Sequence, residues 1–248
     1  MRNIARRLLI TALPSIAVGA VSLWCLYQAA RRPPAFYQQA IAAPVAAQVD
    51  EGEQFERTAL ELHNQLQHFG RWEACLTQEQ VNGWLAIDLP AKFPRALPSG
   101  LSEPRIAIED GMLRIALRYQ RGGIDTVLSI AGEAYLTAQP NEIALRLDQA
   151  RAGLVPIPLT RFLDEIAERA AQANVPMRWT EVSGAPVALI RPPLDTSDAA
   201  NRRVVLDRLQ LDRGQLVLGG RTEEVPPAGD ASHPSTAVQS SDKDTRQR

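Results

Sequence analysis

The fold is decided by residues 112–136, which read MLRIALRYQRGGIDTVLSIAGEAYL. On both sides of Gly122-Gly123, apolar residues alternate with polar or small ones. A period of two is typical of β-strands that bury one face, and glycine pairs suit the tight turn of a hairpin. This stretch therefore predicts two long antiparallel strands joined by a short turn.

Further strands and several helices are predicted around this hairpin. Segments with the same alternation occur at 106–108, 141–148, 177–182, 187–190, 204–211 and 215–218. Apolar residues recur at helical spacing over 53–69, 77–89 and 159–175, and Thr77 and Gln80 have the spacing of a capping box. We therefore expect an α+β fold, in which a curved antiparallel sheet of about six to eight strands packs on two or three helices.

The N-terminal residues predict a membrane anchor. Residues 8–30 carry no formal charge, and as a helix they would extend about 34 Å, enough to cross the roughly 30 Å hydrocarbon core of a bilayer. Three arginines precede this segment, whereas only Arg31 and Arg32 follow it. The excess on the first side predicts a single-pass protein of the cell membrane with a cytoplasmic N-terminus. The alternative is a cleaved signal peptide, whose apolar region usually has about 7 to 15 residues.

These patterns divide the chain into five parts. Pro33-Pro34 interrupts any helix that continues from the anchor. After Arg221 the sequence is rich in Pro, Ser, Asp and Thr and poor in apolar residues, which is typical of disorder. The predicted parts are a cytoplasmic N-terminus (1–7), a transmembrane helix (8–30), a linker (31–50), an extracytoplasmic α+β domain (51–221) and a disordered tail (222–248).

Composition and charge argue against several classes of function. The net charge of −1 leaves no excess of Lys and Arg to replace phosphate counterions, so we expect no binding to nucleic acid. Cys25 lies in the apolar segment and Cys75 far downstream, which makes a disulfide between them improbable. His63 and His68 do not have the i, i+4 spacing of a zinc site. The sequence therefore predicts no catalytic residue, no metal and no cofactor, and indicates that the protein is not an enzyme.

Two short segments carry a resemblance to known proteins. LTQEQVNGWL at residues 76–85, followed by alternating strands and by Pro156-Ile157-Pro158 before a helix, resembles the YpmS-like membrane-anchored extracytoplasmic proteins. WLAIDLP at residues 84–90 is similar to a run in uncharacterised planctomycete membrane proteins. The resemblance covers about residues 8–180 and implies a membrane helix followed by a curved sheet, similar in outline to tubular lipid-binding domains. It implies no catalytic residues, and the Arg-rich composition and the C-terminal tail depart from the family pattern.

We expect the extracytoplasmic domain to bind a ligand rather than to catalyse a reaction. An apolar sheet face beside amphipathic helices, held next to a bilayer, can leave a groove for lipid or another apolar molecule of the cell envelope. The candidate lining residues are Trp84, Leu117, Leu128 and Phe162. In one alternative the helices fill the groove completely. In another the protein is a non-catalytic structural or scaffolding component that contacts other envelope proteins.

Overall fold

The computed structural model describes residues 20–159, 163–172, 175–192 and 202–224. In these ranges the helices are residues 20–31 (α1), Ala35–Ile41 (α2), Val45–Leu66 (α3), Gln78–Lys92 (α4) and Leu163–Gln172 (α5). The strands are Gly70–Thr77 (β1), Leu101–Glu109 (β2), Met112–Arg121 (β3), Ile124–Leu136 (β4), Ile143–Ala152 (β5), Val155–Ile157 (β6), Met177–Val182 (β7), Ala185–Ile190 (β8), Arg202–Asp212 (β9) and Gln215–Glu224 (β10). The predicted α+β class is confirmed.

The described strands form two antiparallel sheets. The larger has seven strands in the order β2-β3-β4-β5-β8-β7, with β6 paired to β5, and the smaller has the order β1-β10-β9. The predicted hairpin is confirmed as β3 and β4, in which Gly122 and Gly123 both have positive φ. The smaller sheet differs from the single sheet that we predicted. Alternation identifies a strand but not its partner. Strand β10 pairs on one side with β9 and on the other with β1, a strand between two helices.

One face of the larger sheet lies beneath α5. Residues opposite each other in the register share a face, because side chains alternate along each strand. By this register Leu117, Leu128 and Trp179 lie on the same face. The Trp179 indole Nε1 donates a hydrogen bond to the Leu163 carbonyl at the first residue of α5, at 3.0 Å. We call this side of the sheet the α5 face.

The opposite side, which we call the α2 face, is covered in part by α2. Tyr37 is buried against Ala116 and Val127 of the sheet, and its hydroxyl donates to the Glu103 carbonyl at 3.1 Å. Burial raises the pKa of Tyr37 to about 12, so the side chain is a neutral donor at physiological pH. The buried Tyr37 side chain therefore packs α2 against the sheet.

The smaller sheet closes one end of the α5 face. A buried cluster between α3 and this sheet consists of Leu66, Trp72, Val204 and Leu206. Leu136 and Ile143, which lie opposite each other in β4 and β5, pack against this cluster. Asn141 links the sheets, because its side-chain amide donates to the Val204 carbonyl and accepts from the Leu206 N–H, both at 2.7 Å. This end of the α5 face is therefore filled with side chains.

Helix α4 begins at the predicted capping box and crosses α3 at very short range. Thr77 Oγ1 accepts from the Gln80 N–H at 3.1 Å, and Gln80 Oε1 accepts from the Thr77 N–H at 3.0 Å, which confirms the capping box. Gly83 of α4 and Gly52 of α3 are both buried where the helices meet. A Cβ on Gly83 would lie 2.5 Å from the Gln48 carbonyl oxygen, so only glycine fits there.

Side-chain amides of α4 cap the outer edge of β2. Asn82 Nδ2 donates to the Ile106 carbonyl at 2.9 Å, and Asn82 Oδ1 accepts from the Ile106 N–H at 2.8 Å. Gln78 Oε1 accepts from the Ile108 N–H at 3.1 Å. An uncapped edge strand would present these groups to solvent or to another chain. The side chains of Gln78 and Asn82, both in the segment 76–85, thus serve to cap the edge of β2.

We expect Asn82→Ala to destabilise the protein by about 2–3 kcal/mol, because two partly buried backbone groups of Ile106 lose their partner. Urea unfolding of the full chain, followed by circular dichroism, measures the change. Asn64→Ala is the matched control, since Asn64 is exposed on α3 and the substitution should leave the free energy of unfolding within about 0.5 kcal/mol. Equal effects of the two substitutions would contradict the capping role.

The ends of the predicted parts differ from the structure. Residues 8–19 of the predicted transmembrane segment lie outside the described residues, and within the described ranges no helix combines the length and apolar character needed to cross a bilayer. The predicted linker, residues 31–50, contains α2 and the start of α3. Strand β10 continues to Glu224, past the predicted start of the tail, and buries Thr222. Residues 225–248 lie outside the described residues.

Candidate functional site: an apolar cavity beside the first helix

A partly open cavity of about 230 Å³ lies between the α5 face and α5. Its apolar lining includes Leu101, Leu117, Leu128, Ile130, Ala150, Ile157 and Ile166. The lining residues with polar side chains are Ser129, Arg151 and Arg169. The first two of these three belong to strand positions that face the α2 side. The interior of the cavity is therefore almost entirely hydrocarbon.

Strand register brings the floor of the cavity together from four strands. Leu117 of β3 lies opposite Leu128 of β4, and Ile130 lies opposite Ala150 of β5. Ala150 in turn lies opposite Ile157 of β6. Since all of these positions share the α5 face, residues far apart in sequence form one continuous apolar surface.

A bulge in β5 keeps this surface apolar. The register between β4 and β5 shifts between Ala131 and Gly132, so that Asp148 has no opposite residue in β4. Because one extra residue reverses the alternation, Leu147 and Ala150 both lie on the α5 face and are both buried. Without the bulge, Gln149 would lie opposite Ile130 and Arg151 opposite Leu128, so polar side chains would replace Ala150 and Ala152 on the α5 face.

The part of the α5 face that carries Leu117, Leu128 and Ile130 is less completely covered than the part of the α2 face beneath Tyr37. On the α2 face Ala116 is 0% exposed and Val127 is 6% exposed. On the α5 face Leu117, Leu128 and Ile130 are only half-buried. A well-filled core would bury such large aliphatic side chains more completely than small ones. The contrast marks this part of the α5 face as apolar surface that the described residues leave partly uncovered.

Two of the four sequence-predicted residues line this cavity. Leu117 and Leu128 face each other on its floor. Trp84 does not line it, because its helix packs along the β2 edge: the Trp84 ring lies between Phe55 and Phe93, with centroids 5.4 Å and 6.1 Å away. Phe162 lies outside the described residues.

Sequence reasoning missed several other lining residues, although signals for some were present. Ile130 follows Leu128 at strand spacing, and Ile166 belongs to the predicted apolar stripe of α5. Ile157 gives no such signal, since it stands alone between two prolines. Its place in the cavity depends on the pairing of β6 with β5, which the sequence pattern does not specify.

The cavity lies at the end of the sheet where α1 arrives. The Thr126 hydroxyl donates to the Ala30 carbonyl, and the Leu154 N–H donates to the Ala29 carbonyl at 3.0 Å. Thr126 is on the α5 face only two residues, or about 7 Å, before Leu128. The cavity therefore lies within one or two side chains of the C-terminal end of α1.

This end of the molecule also presents exposed apolar side chains. Ile124, at the β3–β4 turn, is 58% exposed, and Leu154, at the β5–β6 turn, is 44% exposed. Arg121, beside the β3–β4 turn, is also exposed, and so is Arg31 at the end of α1. Exposed aliphatic groups among arginines are typical of surfaces that meet a membrane interface.

A carboxylate in the same turn is held ionised by its neighbours. Arg118 donates two hydrogen bonds to Asp125, from Nε to Oδ1 at 3.1 Å and from Nη2 to Oδ2 at 2.9 Å, and Gln120 donates a third at 3.1 Å. These bonds lower the pKa of Asp125 from 3.8 to about 2.

Within the described part of the chain, no group of three or more His, Cys, Asp or Glu residues could hold a metal ion.

We expect the Asp125 carboxyl to titrate near pH 2 in an NMR titration, with its midpoint moving up towards 3.8 in Arg118→Gln. Because the pKa is lower in the folded state, the stabilisation is present above pH 3.8 and is lost as the pH falls towards 2. Arg146→Gln, on the same face of the sheet but paired with Glu133, should leave the Asp125 midpoint unchanged. An Asp125 midpoint near 3.8 in the unmodified protein would contradict the hydrogen-bonded arrangement.

In comparisons with known proteins, no protein-family model and no curated protein matches the chain.

Proposed function

We propose that this protein is a membrane-anchored extracytoplasmic binding module that holds an acyl chain in the cavity between the α5 face and α5. One observation carries the proposal, namely an almost wholly hydrocarbon cavity whose floor residues Leu117 and Leu128 are only half-buried. A water molecule in such a cavity would find few hydrogen-bond partners. An apolar ligand would instead remove the apolar lining of the cavity from solvent, which is favourable. Membership of the YpmS-like proteins is part of the same proposal and rests on the segment 76–85.

The position of the cavity favours a membrane lipid as the source of the chain. Residues 8–30 are the proposed transmembrane segment, and the end of α1 contacts the strands that carry the cavity floor. Ile124 and Leu154 extend from the same end of the sheet. An acyl chain that leaves the bilayer beside α1 would therefore meet exposed apolar side chains before it reaches Leu128.

The size of the cavity limits what it can hold. Cavities of about 150 Å³ lined by Leu, Ile and Phe accept a molecule as large as benzene. At about 230 Å³, this cavity has room for part of one chain and not for a two-chain lipid. We therefore propose that one acyl chain, or the end of one, enters the cavity while the remainder of the molecule stays outside.

Uptake of a fluorescent fatty acid tests the proposal. The full-length protein in a mild non-ionic detergent is titrated with NBD-labelled palmitate, and native mass spectrometry measures lipid that copurifies with it. Saturable uptake of one probe per protein is the expected result. An absence of both copurifying lipid and probe uptake would show that the cavity is not a lipid site.

One feature favours a scaffolding role as the second candidate. Strand β7 is the outer strand of the larger sheet and pairs with β8 alone among the described strands, and Val182 near its end is 45% exposed. Such an edge can accept a strand from another protein. Crosslinking in native membranes distinguishes the two functions, because a scaffold would give discrete protein adducts at β7, whereas a lipid-binding module would give none there.

A further inference from the structure

A second pocket, of about 300 Å³, lies on the α2 face at the same end of the sheet. Its polar lining side chains are Arg114, Ser129, Gln149 and Arg151, and the start of α2 and the Gly153-Leu154 turn form its wall. No carboxylate of the described residues lines it. The described lining thus supplies two guanidinium groups, a hydroxyl and an amide, but no negative charge.

The two arginines are placed so that both can reach one anion. Arg114 lies opposite Ala131, which lies opposite Gln149, and Arg151 is two residues further along β5. Two strand spacings and two residues along a strand separate the Cα atoms by about 12 Å. Ser129 lies opposite Arg151 on the strand between them. An anion above Ser129 would therefore lie between two long, flexible cationic side chains.

The hydrogen bonding of these arginines is incomplete. Arg114 pairs with Glu109 through Nη2 at 3.0 Å, but its buried Nε has no hydrogen-bond partner. Arg151 donates to Gln149 at 2.8 Å and forms no ion pair with any described carboxylate. A buried N–H without a partner is costly, and guanidinium groups bind phosphate with strong, often paired hydrogen bonds.

We infer that this pocket binds a phosphate group, and that a membrane phospholipid supplies it. The lipid source follows from position, since the Gly153-Leu154 turn in the pocket wall contacts Ala29 and Ala30 at the end of α1. Arg31 and Arg32 come next in the chain. The head group site lies on the opposite side of the sheet from the acyl-chain cavity and does not depend on it.

Native mass spectrometry of the full-length protein in detergent tests the inference with three probes. These are dioctanoyl phosphatidylglycerol, dioctanoylglycerol, which has the same chains but no phosphate, and inorganic phosphate. The phospholipid should bind about tenfold more tightly than dioctanoylglycerol, because two charge-assisted contacts are lost with the phosphate. Arg114→Gln and Arg151→Gln should each remove most of that preference.

Arg146→Gln is the matched control, because Arg146 has the same charge and lies on the same face but pairs with Glu133 and does not line the pocket. It should keep the preference within about twofold. Equal binding of the two lipids, or equal losses in Arg151→Gln and Arg146→Gln, would overturn the phosphate site. Phosphate that binds as tightly as the phospholipid, with the same dependence on Arg114 and Arg151, would overturn the lipid as its source.

The acyl-chain proposal can fail separately from this inference. Dioctanoylglycerol and labelled palmitate report on the cavity, whereas inorganic phosphate reports only on the second pocket. Loss of palmitate uptake together with retained phospholipid preference would reject the cavity and support the phosphate site. Thermal unfolding of each variant, compared with the unmodified protein, identifies any loss of binding that is due to misfolding.

Discussion

Leu128→Trp is expected to weaken uptake of labelled palmitate by more than about tenfold while the protein stays folded. Leu128 lies at the centre of the cavity floor, opposite Leu117 and two residues before Ile130. An indole there would occupy a large part of the 230 Å³ that a chain would otherwise enter. Because Leu128 is only half-buried, the larger side chain can be accommodated without displacing a close-packed core.

The same fluorescence titration measures this effect, and Leu113→Trp is its control. Leu113 lies on the α5 face of β3 and is also half-buried, but it does not line the cavity. Leu128→Ala should retain uptake, since it enlarges the cavity. Undiminished palmitate binding by a folded Leu128→Trp protein would place the ligand elsewhere, and equal loss in Leu113→Trp would point to a general change in the sheet.

Gly83→Ala is expected to lower the free energy of unfolding by about 2–3 kcal/mol. The new Cβ would lie 2.5 Å from the Gln48 carbonyl oxygen, 2.6 Å from the Gly52 nitrogen and 2.9 Å from the Glu51 Cβ. Two of these contacts are with backbone, so α3 must move away from α4. The gain in helix propensity from glycine to alanine offsets only about 1 kcal/mol.

Urea unfolding of the full chain measures this loss. Gln54→Ala, an exposed substitution on α3, should change the free energy of unfolding by less than about 0.5 kcal/mol. A Gly83→Ala protein as stable as the unmodified one would mean that the two helices are not held at this distance. Because the crossing positions the amides of α4 along β2, Gly83→Ala and Asn82→Ala should also be non-additive when combined.

Local features of this fold could be predicted from the sequence because their causes are local. The β3–β4 hairpin depends on alternation around Gly122-Gly123, and the start of α4 depends on Thr77 and Gln80. In both cases the local structure is determined by residues that are close together in the sequence. The apolar stripe of α5 belongs to the same class: it contains Ile166, although Ile166 was not among the predicted lining residues.

Long-range features could not be predicted in the same way. The division into two sheets depends on the pairing of β1 with β10, whose residues lie more than a hundred positions apart. Trp84 does not line the cavity, and its position could not be predicted because an amphipathic helix pattern does not specify which surface the helix covers. The bulge at Asp148 has no sequence signal that we recognise, yet it decides that Ala150 rather than Gln149 lies opposite Ile130 on the cavity floor.

The junction between α1 and the sheet limits how far the sheet can move relative to α1. A Cβ on Gly153 would lie 2.2 Å from the Ala30 carbonyl oxygen, and only residues 32–34 separate α1 from α2, which is itself fixed by Tyr37. A carrier that ferries cargo between two membranes needs a tether with slack, and these three residues span at most about 11 Å. If the proposed membrane anchor and acyl-chain site are correct, a bound lipid is therefore loaded and released at a fixed distance from the bilayer.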